Sequence, residues 1–515
     1  MNQTHLLLHQ HLGHSAAGRP DKLAVRDVNT ELTYAALHDI AQKGAAGLHK
    51  LGVSAGDRVL LYMDNSVDFA IAFWSVVYAG AVVTPISPDI RQTKLTYIIK
   101  DCDPAAIITD LAYVDVIGSA LGDVPTPVVT DAGCWAENKP ASISDCGASQ
   151  IIDQDLGCII YTSGSTGSPK GVMLSQQNLV SASRSVAEYL GYTAQDSIFV
   201  AIPLTFDYGM HQLTMAALVG ATVVIERNFA KPLFSLDRLS KSGATAFPLV
   251  PTMVPLMSKL ASRFDLGAVR LVSSTAAALD PKHIDQIQAC LPQATVFSMY
   301  GLTECHRCTY VPPNRLEEKK TSVGIAIPNT QLWVVDRAGK AHRKNAEGEL
   351  VIRGATVMKG YWNSPTRTAE RLHPGPFPGE FVFHTGDICR LDEDGFVYFI
   401  GRQDDVLKIK GEKVAPKEVE DILRKHASVS EAIVYGRAAK DGGHTVCAAV
   451  TLIDGAQTKP DALRDWCAQH LEAVAVPRVV DVIGAFKLTA NGKIDRNQFK
   501  ISSEVPPLTK QPSIS

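Results

Sequence analysis

The chain has 515 residues, of which 46% are hydrophobic and 20% are charged, a balance typical of globular proteins and unlike that of disordered chains. Its 50 basic and 53 acidic residues give a formal net charge of -3, which excludes a global electrostatic attraction to nucleic acid or to an anionic membrane. A chain of this length is expected to divide into roughly two to four domains.

The N-terminal segment lacks the pattern of a secretory signal. MNQTHLLLHQHLGHS has no basic n-region, and its run of three leucines is too short for an apolar h-region. The longest apolar run, Phe73 to Ile86, is shorter than a membrane span and contains Gly80 and Pro85, so it predicts a buried helix followed by a turn and a strand. We therefore expect a cytoplasmic protein without a membrane span.

Between Leu32 and about Tyr398, helix-like amphipathic stretches alternate with short β-branched runs bounded by glycine or proline. Examples of these runs are GDRVLLYM, AAIITD, GATVVIE and ATVFSMYG. The alternation predicts an α/β fold with mainly parallel sheets, in which a large N-terminal domain of sheets is flanked by helices.

The pattern changes near Gly401, where GRQDDVLKIKGEKVAPKEVEDILRKH becomes densely charged. Pro416 is placed to begin a helix, and EAIVYG and VCAAVTLI predict strands. These elements indicate a small α+β domain of ordinary size. The expected division is an N-terminal domain over 1–403, a C-terminal domain over 404–503 and a loose tail over 504–515.

The ten cysteines are scattered without regular spacing, which is typical of small core residues in a reducing compartment. One pair, Cys305 and Cys308, has C-x-x-C spacing. A zinc site would need two more ligands at similar spacing, and the chain has no second C-x-x-C. A structural role is therefore favoured over redox or metal chemistry for this pair.

A loop rich in glycine and hydroxyl residues, YTSGSTGSPKG, lies between two apolar runs that predict strands. Its glycines let the backbone approach an anion, its hydroxyl groups donate hydrogen bonds, and its lysine brings a positive charge. These residues are Ser163, Gly164, Ser165, Thr166, Gly167, Lys170 and Gly171. The loop predicts a polyphosphate site, distinct from a Walker A loop because no hydroxyl residue follows the lysine. A flexible linker is the alternative.

This loop and four later segments together resemble the AMP-forming adenylating superfamily, which contains acyl-CoA synthetases, firefly luciferase and the adenylation domains of nonribosomal peptide synthetases. The later segments are MYGLTE, GELVIRGATVMKGYWN, FHTGDICRLDEDGFVYFIGRQDD and KLTANGKIDR, and they follow in the order and spacing of that superfamily. The resemblance covers residues from about 30 to 500 and is strongest to a freestanding amino-acid or acyl adenylation enzyme.

The resemblance implies a ligase that joins a carboxylate to the α-phosphate of ATP, releases pyrophosphate and passes the acyl group to a thiol. ATP and magnesium would be required, because the first step brings two anions together. By the same resemblance, Thr162 to Gly167 and Lys170 would hold the phosphates. Tyr300 would stack on adenine, Thr303 would bond the α-phosphate, and Glu304 would hold magnesium.

Residues nearer the C-terminus would complete such a site. Asp387 would accept hydrogen bonds from the ribose hydroxyls, and Arg402 would reach ribose or phosphate. Lys493 resembles the mobile catalytic lysine of the superfamily, delivered when the small domain closes. Asp404 falls at the hinge of that motion, and Gly411 would line the thiol tunnel.

The segment PLTFDYGMHQL bears on the identity of the acid. Amino-acid-activating members have Phe-Asp here, and Asp207 matches the aspartate that pairs with the substrate ammonium. A carboxylate in an apolar segment also indicates a cationic partner, although Asp207 could instead cap a helix. An amino acid is favoured. The expected side-chain pocket consists of Tyr208, His211, Pro248, Val272, Ser274, Met299, Arg307 and Cys308.

Two points about the predicted site stay open, one on the acid pocket and one on the adenine contacts. Arg307 is expected either to meet a substrate carboxylate or to pair with a neighbouring acid. The segment SSTAAALD, from Ser273 to Asp280, replaces the Gly-rich adenine-binding turn of many members, which leaves the adenine contacts there in doubt.

The acceptor thiol is expected to come from a separate molecule, because too few residues follow Lys493 for a carrier domain. The phosphopantetheine arm of an acyl or peptidyl carrier protein is favoured, with coenzyme A as the alternative. One rival function is a fatty- or aryl-acid CoA ligase. The other is a non-catalytic nucleotide-binding regulator, against which the presence of Lys493, Glu304 and Asp387 argues.

Overall fold

The computed structural model describes residues 5–130, 147–163, 169–277, 279–403, 407–409, 412–438, 444–489 and 494–499. The chain forms two compact units, one of Met1–Thr385 with Arg390–Phe399 and one of Gly386–Cys389 with Ile400–Ser515. The predicted α/β class, with a large N-terminal part and a smaller C-terminal part, is confirmed. Asp404 and the tail over 504–515 lie outside the described residues, so the hinge and the tail stay predictions.

The largest sheet of the first unit has nine described strands. In spatial order they are Ile325–Ala326, His306–Tyr310, Thr295–Leu302, Leu271–Ser274, Ala246–Leu249, Ser197–Val200, Thr222–Ile225, Leu23–Arg26 and Glu31–Thr33. The six strands from Thr295–Leu302 to Leu23–Arg26 pair in parallel. The register sets Leu249, Ser274 and Ser298 side by side, so the carboxyl ends of two strands meet at one edge beside the strand Thr295–Leu302, which continues past them.

A second sheet of the first unit carries the predicted phosphate loop. Its strands, in order, are Gly360–Tyr361, Pro169–Ser175, Leu156–Ser163, Val82–Pro85, Arg58–Tyr62, Ala106–Thr109 and Val128–Val129. The two strands that flank the loop are antiparallel neighbours, with Thr162 opposite Lys170. The strands predicted on both sides of the loop are therefore confirmed.

A third sheet differs from the parallel arrangement that the sequence predicts. It contains Ala341–His342, Thr330–Val335 and Ala346–Gly354, which pair in antiparallel fashion in that order, and Leu372–Pro374, which pairs in antiparallel fashion with Phe381–Leu391. An antiparallel sheet can leave one face in solvent, and burial indeed alternates along the later part of Thr330–Val335. Two more strands, Phe381–Leu391 and Val397–Arg402, contain residues of both units.

The α-helices of the first unit vary widely in burial. They are Leu8–Gly18, Tyr34–Lys50, Val67–Tyr78, Gln92–Cys102, Val114–Leu121, Gln176–Leu190, Asp207–Val219, Pro232–Ser242, Val254–Ser258, Pro281–Cys290 and Pro365–Arg371. Val67–Tyr78 buries almost every side chain and precedes strand Val82–Pro85, as the apolar run predicts. In the described part of the chain, no helix has both the length and the apolar character that a membrane crossing requires.

The second unit has a core of its own. Strand His444–Leu452 pairs with Val429–Ala438 in antiparallel fashion and with Val479–Val482 in parallel. The remaining described elements are helices Pro416–Arg424 and Pro460–His470 and the hairpin of Leu407–Ile409 with Glu412–Val414. Buried side chains of both helices pack with those of the strands, which confirms the predicted small α+β unit.

One backbone position of the first unit is strained. Ala276 has a φ of 78°, in the left-handed region that favours glycine. It follows strand Leu271–Ser274 in the segment that replaces the Gly-rich turn of the resembling superfamily. The chain therefore keeps a glycine-like conformation with an alanine, at a cost of about 1 kcal/mol.

Replacing Ala276 by glycine is expected to raise the free energy of unfolding by about 0.5–1 kcal/mol, because the left-handed conformation then carries no Cβ penalty. Denaturant unfolding measures this. Ala46→Gly in helix Tyr34–Lys50 is the control and should lower the same free energy by about 1 kcal/mol. Destabilisation by both substitutions would show that Ala276 is not strained in solution.

Candidate active site

A tight hairpin presents several of the predicted site residues. Strands Thr295–Leu302 and His306–Tyr310 pair in antiparallel fashion with an irregularity beside Gly301. A Cβ atom on Gly301 would lie 1.8 Å from the carbonyl oxygen of His306, and His306 itself has a φ of 56°. Glycine is thus required for the two strands to approach so closely. The left-handed residue opposite it marks a strained turn of the kind found at functional sites.

Glu304, in the turn of this hairpin, forms a closed triangle of polar contacts with two residues of the second sheet. Its Oε1 accepts hydrogen bonds from Lys170 Nζ and from Tyr361 Oη, each at 2.8 Å. Lys170 Nζ also donates to Tyr361 Oη at 2.8 Å. The structure therefore brings together two predicted site residues, Lys170 and Glu304, which are 134 positions apart in sequence.

Lys170 determines the ionisation state of Glu304. Burial alone would raise the pKa of this carboxyl, but the positive charge and hydrogen bond of Lys170 outweigh burial and lower it. Glu304 is therefore ionised at neutral pH. Its two side-chain hydrogen bonds both go to Oε1, and Oε2 bonds no side chain among the described residues. A carboxylate oxygen of this kind suits a magnesium ion.

The base of the phosphate loop holds one unsatisfied donor. Thr162 Oγ1 is buried and has no hydrogen-bond partner within the described residues. The preceding residue, Tyr161, donates to Asp101 Oδ2 at 2.5 Å and so anchors the strand that leads into the loop. An orphaned hydroxyl at this place fits a phosphate oxygen. Ser163 ends the strand, and Gly164, Ser165, Thr166 and Gly167 lie outside the described residues, so their roles stay predictions.

Asp207 forms an ion pair with a cationic side chain of the same protein. Its Oδ2 lies 3.2 Å from Nη1 of Arg307, whose side chain is 1% exposed. Helix Asp207–Val219 has Phe206 at its N-cap, so Asp207 is the first helical residue and is not the cap. Of the two partners considered for Arg307, the neighbouring acid is present in the structure. The cationic partner that the apolar surroundings of Asp207 indicate is this arginine.

Other polar side chains surround this ion pair. The guanidinium carbon of Arg307 lies 4.7 Å from the ring centre of Tyr208, whose hydroxyl bonds the oxygens of Ser273. The imidazole rings of His211 and His306 are 4.5 Å apart. Desolvation lowers the pKa of His211 well below its usual value and that of His306 to about 4, so both rings are neutral at pH 7.

The remaining residues of the predicted acid pocket are buried nearby in the sheet. Val272 and Ser274 lie on one strand and alternate with Ser273, and Pro248 lies on the strand beside it. Met299 accepts a hydrogen bond from Tyr189 through its sulfur. Cys308 Sγ lies 3.3 Å from Cys305 Sγ, and both side chains are fully buried. These contacts show burial of the predicted residues and leave their role toward an acid as a prediction.

Two predicted nucleotide-binding residues meet in the second unit. Arg402 Nε donates to Asp387 Oδ1 at 3.0 Å, and the Asp387 side chain is 2% exposed whereas that of Arg402 is 49% exposed. A buried carboxylate held by an arginine is preorganised to accept hydrogen bonds from a diol.

The other predicted nucleotide-site residues are described only in part. In the first unit, the Tyr300 ring lies 6.4 Å from that of Phe399. Lys493 and Gly411 lie outside the described residues.

Two residues of the site had no role in the sequence interpretation. Tyr361 belongs to the motif GELVIRGATVMKGYWN, but nothing in that motif distinguishes a polar contact from simple packing. His306 lies between the two cysteines of the C-x-x-C segment, a spacing that points to the cysteines and not to the histidine. A signal for His306 was its position between two charged residues, Glu304 and Arg307, shortly after a glycine.

The chain matches two protein-family models that together cover most of its length. Residues 12–362 match the model for AMP-binding enzymes, and residues 418–493 match the model for the C-terminal domain of AMP-binding enzymes.

Similar curated proteins come from two kinds of enzyme. Tyrocidine synthase 1 of Brevibacillus parabrevis is 29% identical over 495 residues, which cover 95% of this chain and only 44% of that protein. The 4-coumarate–CoA ligase of Pinus taeda is 30% identical over 519 residues, which cover 96% of this chain and 95% of the ligase. The chain therefore spans less than half of the first relative and nearly all of the second.

Among solved structures, ATP-bound MatB from Rhodopseudomonas palustris superposes with a TM-score of 0.86. The two sequences are 27% identical, and the alignment covers 96% of this chain and 98% of MatB. The likeness extends over both compact units.

Gly301→Ala is expected to lower the free energy of unfolding by about 2 kcal/mol or more, because the new methyl group would collide with the backbone of His306. Thermal and denaturant unfolding measure the change. Gly118→Ala is the matched control. Nothing lies within 4 Å of its added Cβ, and this helical position should gain about 0.5–1 kcal/mol. Equal stabilities of the two variants would contradict the close approach in the hairpin.

Proposed function

The chain belongs to the AMP-binding enzyme family, and from this premise we propose that it activates an amino acid as an acyl-adenylate at the expense of ATP. The acyl group then passes to the phosphopantetheine thiol of a separate carrier protein. The observation that carries the proposal is the Lys170–Glu304 ion pair at the base of the phosphate loop, with the unsatisfied Thr162 hydroxyl beside it on the paired strand.

In the first step, a carboxylate oxygen of the acid attacks the α-phosphorus of ATP and pyrophosphate leaves. Lys170 and the loop donors would stabilise the charge that develops on the departing phosphates. Thr303 would bond the α-phosphate and Tyr300 would stack on adenine. Asp387, held by Arg402, would accept from the ribose hydroxyls.

In the second step, a thiolate attacks the acyl carbon and AMP leaves. We assign Lys493 to the first step only. A rotation at Asp404 would then exchange it for the segment that contains Gly411, next to the incoming thiol. One site would thereby serve two reactions.

Magnesium fits the residues at the hairpin. Glu304 is ionised and offers Oε2, while Oε1 is occupied by Lys170 and Tyr361. When bound there, a magnesium ion would neutralise phosphate charge during adenylation. Tyr361 holds the carboxylate in one orientation, and we propose it as a positioning residue for Glu304.

Asp207 supports an amino acid as the substrate. Its side chain is 23% exposed, although its partner Arg307 is almost fully buried. The carboxylate can therefore be approached by a second cation, such as a substrate ammonium. Position 1 of a helix also suits an anion, because the helix dipole is positive there.

Coenzyme A is the second candidate for the acceptor. The similarity to a 4-coumarate–CoA ligase over nearly its whole length favours it, whereas the similarity to tyrocidine synthase 1 favours a carrier protein. Transfer from the adenylate to free coenzyme A and to a phosphopantetheinylated carrier protein, compared under equal conditions, would decide between them.

The proposal predicts ATP–pyrophosphate exchange that depends on an amino acid and not on the same acid without its amine. Asp207→Asn should reduce exchange with the amino acid by at least about tenfold, because an ammonium loses its charged partner. Asp237→Asn, which removes a surface partner of Lys241, should have no effect. Exchange supported only by amine-free acids would exclude the amino-acid substrate and leave the fatty- or aryl-acid ligase.

Tyr361→Phe keeps the ring beside Lys170 and removes only the hydroxyl. Adenylation should fall by about tenfold, since a hydrogen bond to a charged group is lost. The magnesium concentration for half-maximal exchange should also rise. Tyr398→Phe also removes a hydrogen bond from a tyrosine hydroxyl to a carboxylate, that of Asp392, and serves as the control. A magnesium dependence equal to that of the unmodified protein would rule out the positioning role.

A further inference from the structure

Arg307 uses only part of its hydrogen-bonding capacity. Its Nη1 faces Asp207, while Nε and Nη2 are buried and have no partner within the described residues. Unmet donors on an arginine that is 1% exposed are costly, because a buried guanidinium is normally fully hydrogen-bonded. The arrangement therefore provides two positively charged donor groups for a ligand.

The neighbouring histidines are unsatisfied as well. All four ring nitrogens of His211 and His306 are buried without a hydrogen-bond partner in the described parts of the chain. Each neutral imidazole offers one donor and one acceptor. Two polar rings and an arginine with unmet donors, gathered beside one aspartate, would be an unfavourable lining for an apolar acyl chain. They suit a polar and charged group.

The opposite charges of Asp207 and Arg307 restrict which charged groups the substrate can carry. A substrate with an ammonium alone would compete with Arg307 for Asp207 and would leave the arginine buried without its full counter-charge. An acid with a second carboxylate and no amine would compete with Asp207 for Arg307 in the same way. A substrate that has both groups would supply a partner to each residue.

We propose that the acid substrate is an amino acid with a second carboxylate, which Arg307 binds through Nε and Nη2 while Asp207 binds the ammonium. His211 and His306 contribute hydrogen bonds to the same carboxylate or to the chain that bears it. This inference rests on the proposed adenylation of an amino acid and specifies the class of that amino acid. Arg307 is thereby a specificity-determining residue.

The test compares acidic amino acids with their amides, which have nearly the same shape. ATP–pyrophosphate exchange is measured for aspartate against asparagine and for glutamate against glutamine, with succinate and glutarate as amine-free acids. The unmodified protein should favour one acidic amino acid over its amide by at least about a hundredfold in kcat/KM. Calorimetric titration of the same acids, without ATP, gives a second readout that does not require turnover.

Arg307→Gln is the informative variant, because glutamine can hydrogen-bond an amide but supplies no charge. It should lower the kcat/KM ratio of the acidic amino acid to its amide by at least about tenfold, through a loss for the acid and a gain for the amide. A merely structural arginine would lower exchange for all acids equally.

Arg270→Gln is the matched control for folding. Arg270 also pairs with a buried aspartate, Asp196, at 2.6 Å, but it precedes strand Leu271–Ser274 and so lies at the opposite end of that strand from Ser274. Its substitution should leave the ratio of acidic amino acid to amide unchanged. Unfolding midpoints of both variants establish that they are folded under the assay conditions.

The outcomes separate this inference from the proposed function. Exchange with a neutral amino acid that exceeds exchange with every acidic one would overturn the role of Arg307 and retain amino-acid adenylation. Exchange with succinate or glutarate as strong as with the amino acids would overturn the role of the ammonium. An unchanged acid-to-amide ratio in Arg307→Gln would show that Arg307 serves only as the counter-charge of Asp207.

Discussion

Two ion pairs with little exposure to water meet on one short hairpin, and the geometry of the candidate site depends on them. Glu304 in the turn pairs with Lys170, and three residues later Arg307 pairs with Asp207. A buried charge that loses its partner costs several kcal/mol, so each pair fixes the segment that contributes the opposite charge. The hairpin can carry both pairs because Gly301 lets its two strands approach closely.

The first pair joins the two parallel-rich sheets of the large unit. Glu304 follows a strand of the nine-stranded sheet, whereas Lys170 and Tyr361 lie on neighbouring strands of the other sheet. The proposed polyphosphate site would thus lie where the two sheets are joined by this ion pair. In each pair, the proposed ligands of the two members carry opposite charges: phosphate and magnesium for Lys170 and Glu304, and carboxylate and ammonium for Arg307 and Asp207. Each pair also keeps atoms for such ligands, because Glu304 Oε2 bonds no side chain among the described residues and Nε and Nη2 of Arg307 have no partner there.

Motif and pattern accounted for some contacts of the site and missed others. The glycines and lysine of the phosphate loop and the Glu of MYGLTE indicated two parts of one phosphate site, and the Lys170–Glu304 contact is consistent with that. The apolar surroundings of Asp207 indicated a cation but gave no way to identify Arg307, which is 100 positions away. Tyr361 was missed because a tyrosine next to a glycine and a tryptophan is equally typical of packing. The left-handed conformation of Ala276 was not foreseeable, because alanine rarely adopts it.

The sequence by itself determined the family, the α/β class, the two-part organisation and most of the elements that flank the phosphate loop. These properties depend on local periodicity, on glycine and lysine chemistry and on motif order, all of which can be read along the chain. Only the tertiary structure decided which charges are paired, which donors are left unsatisfied and which oxygen of Glu304 bonds the lysine and the tyrosine. The reason is physical. The free energy of a buried charge depends on the atoms that surround it in space, and here those atoms come from segments more than a hundred residues apart.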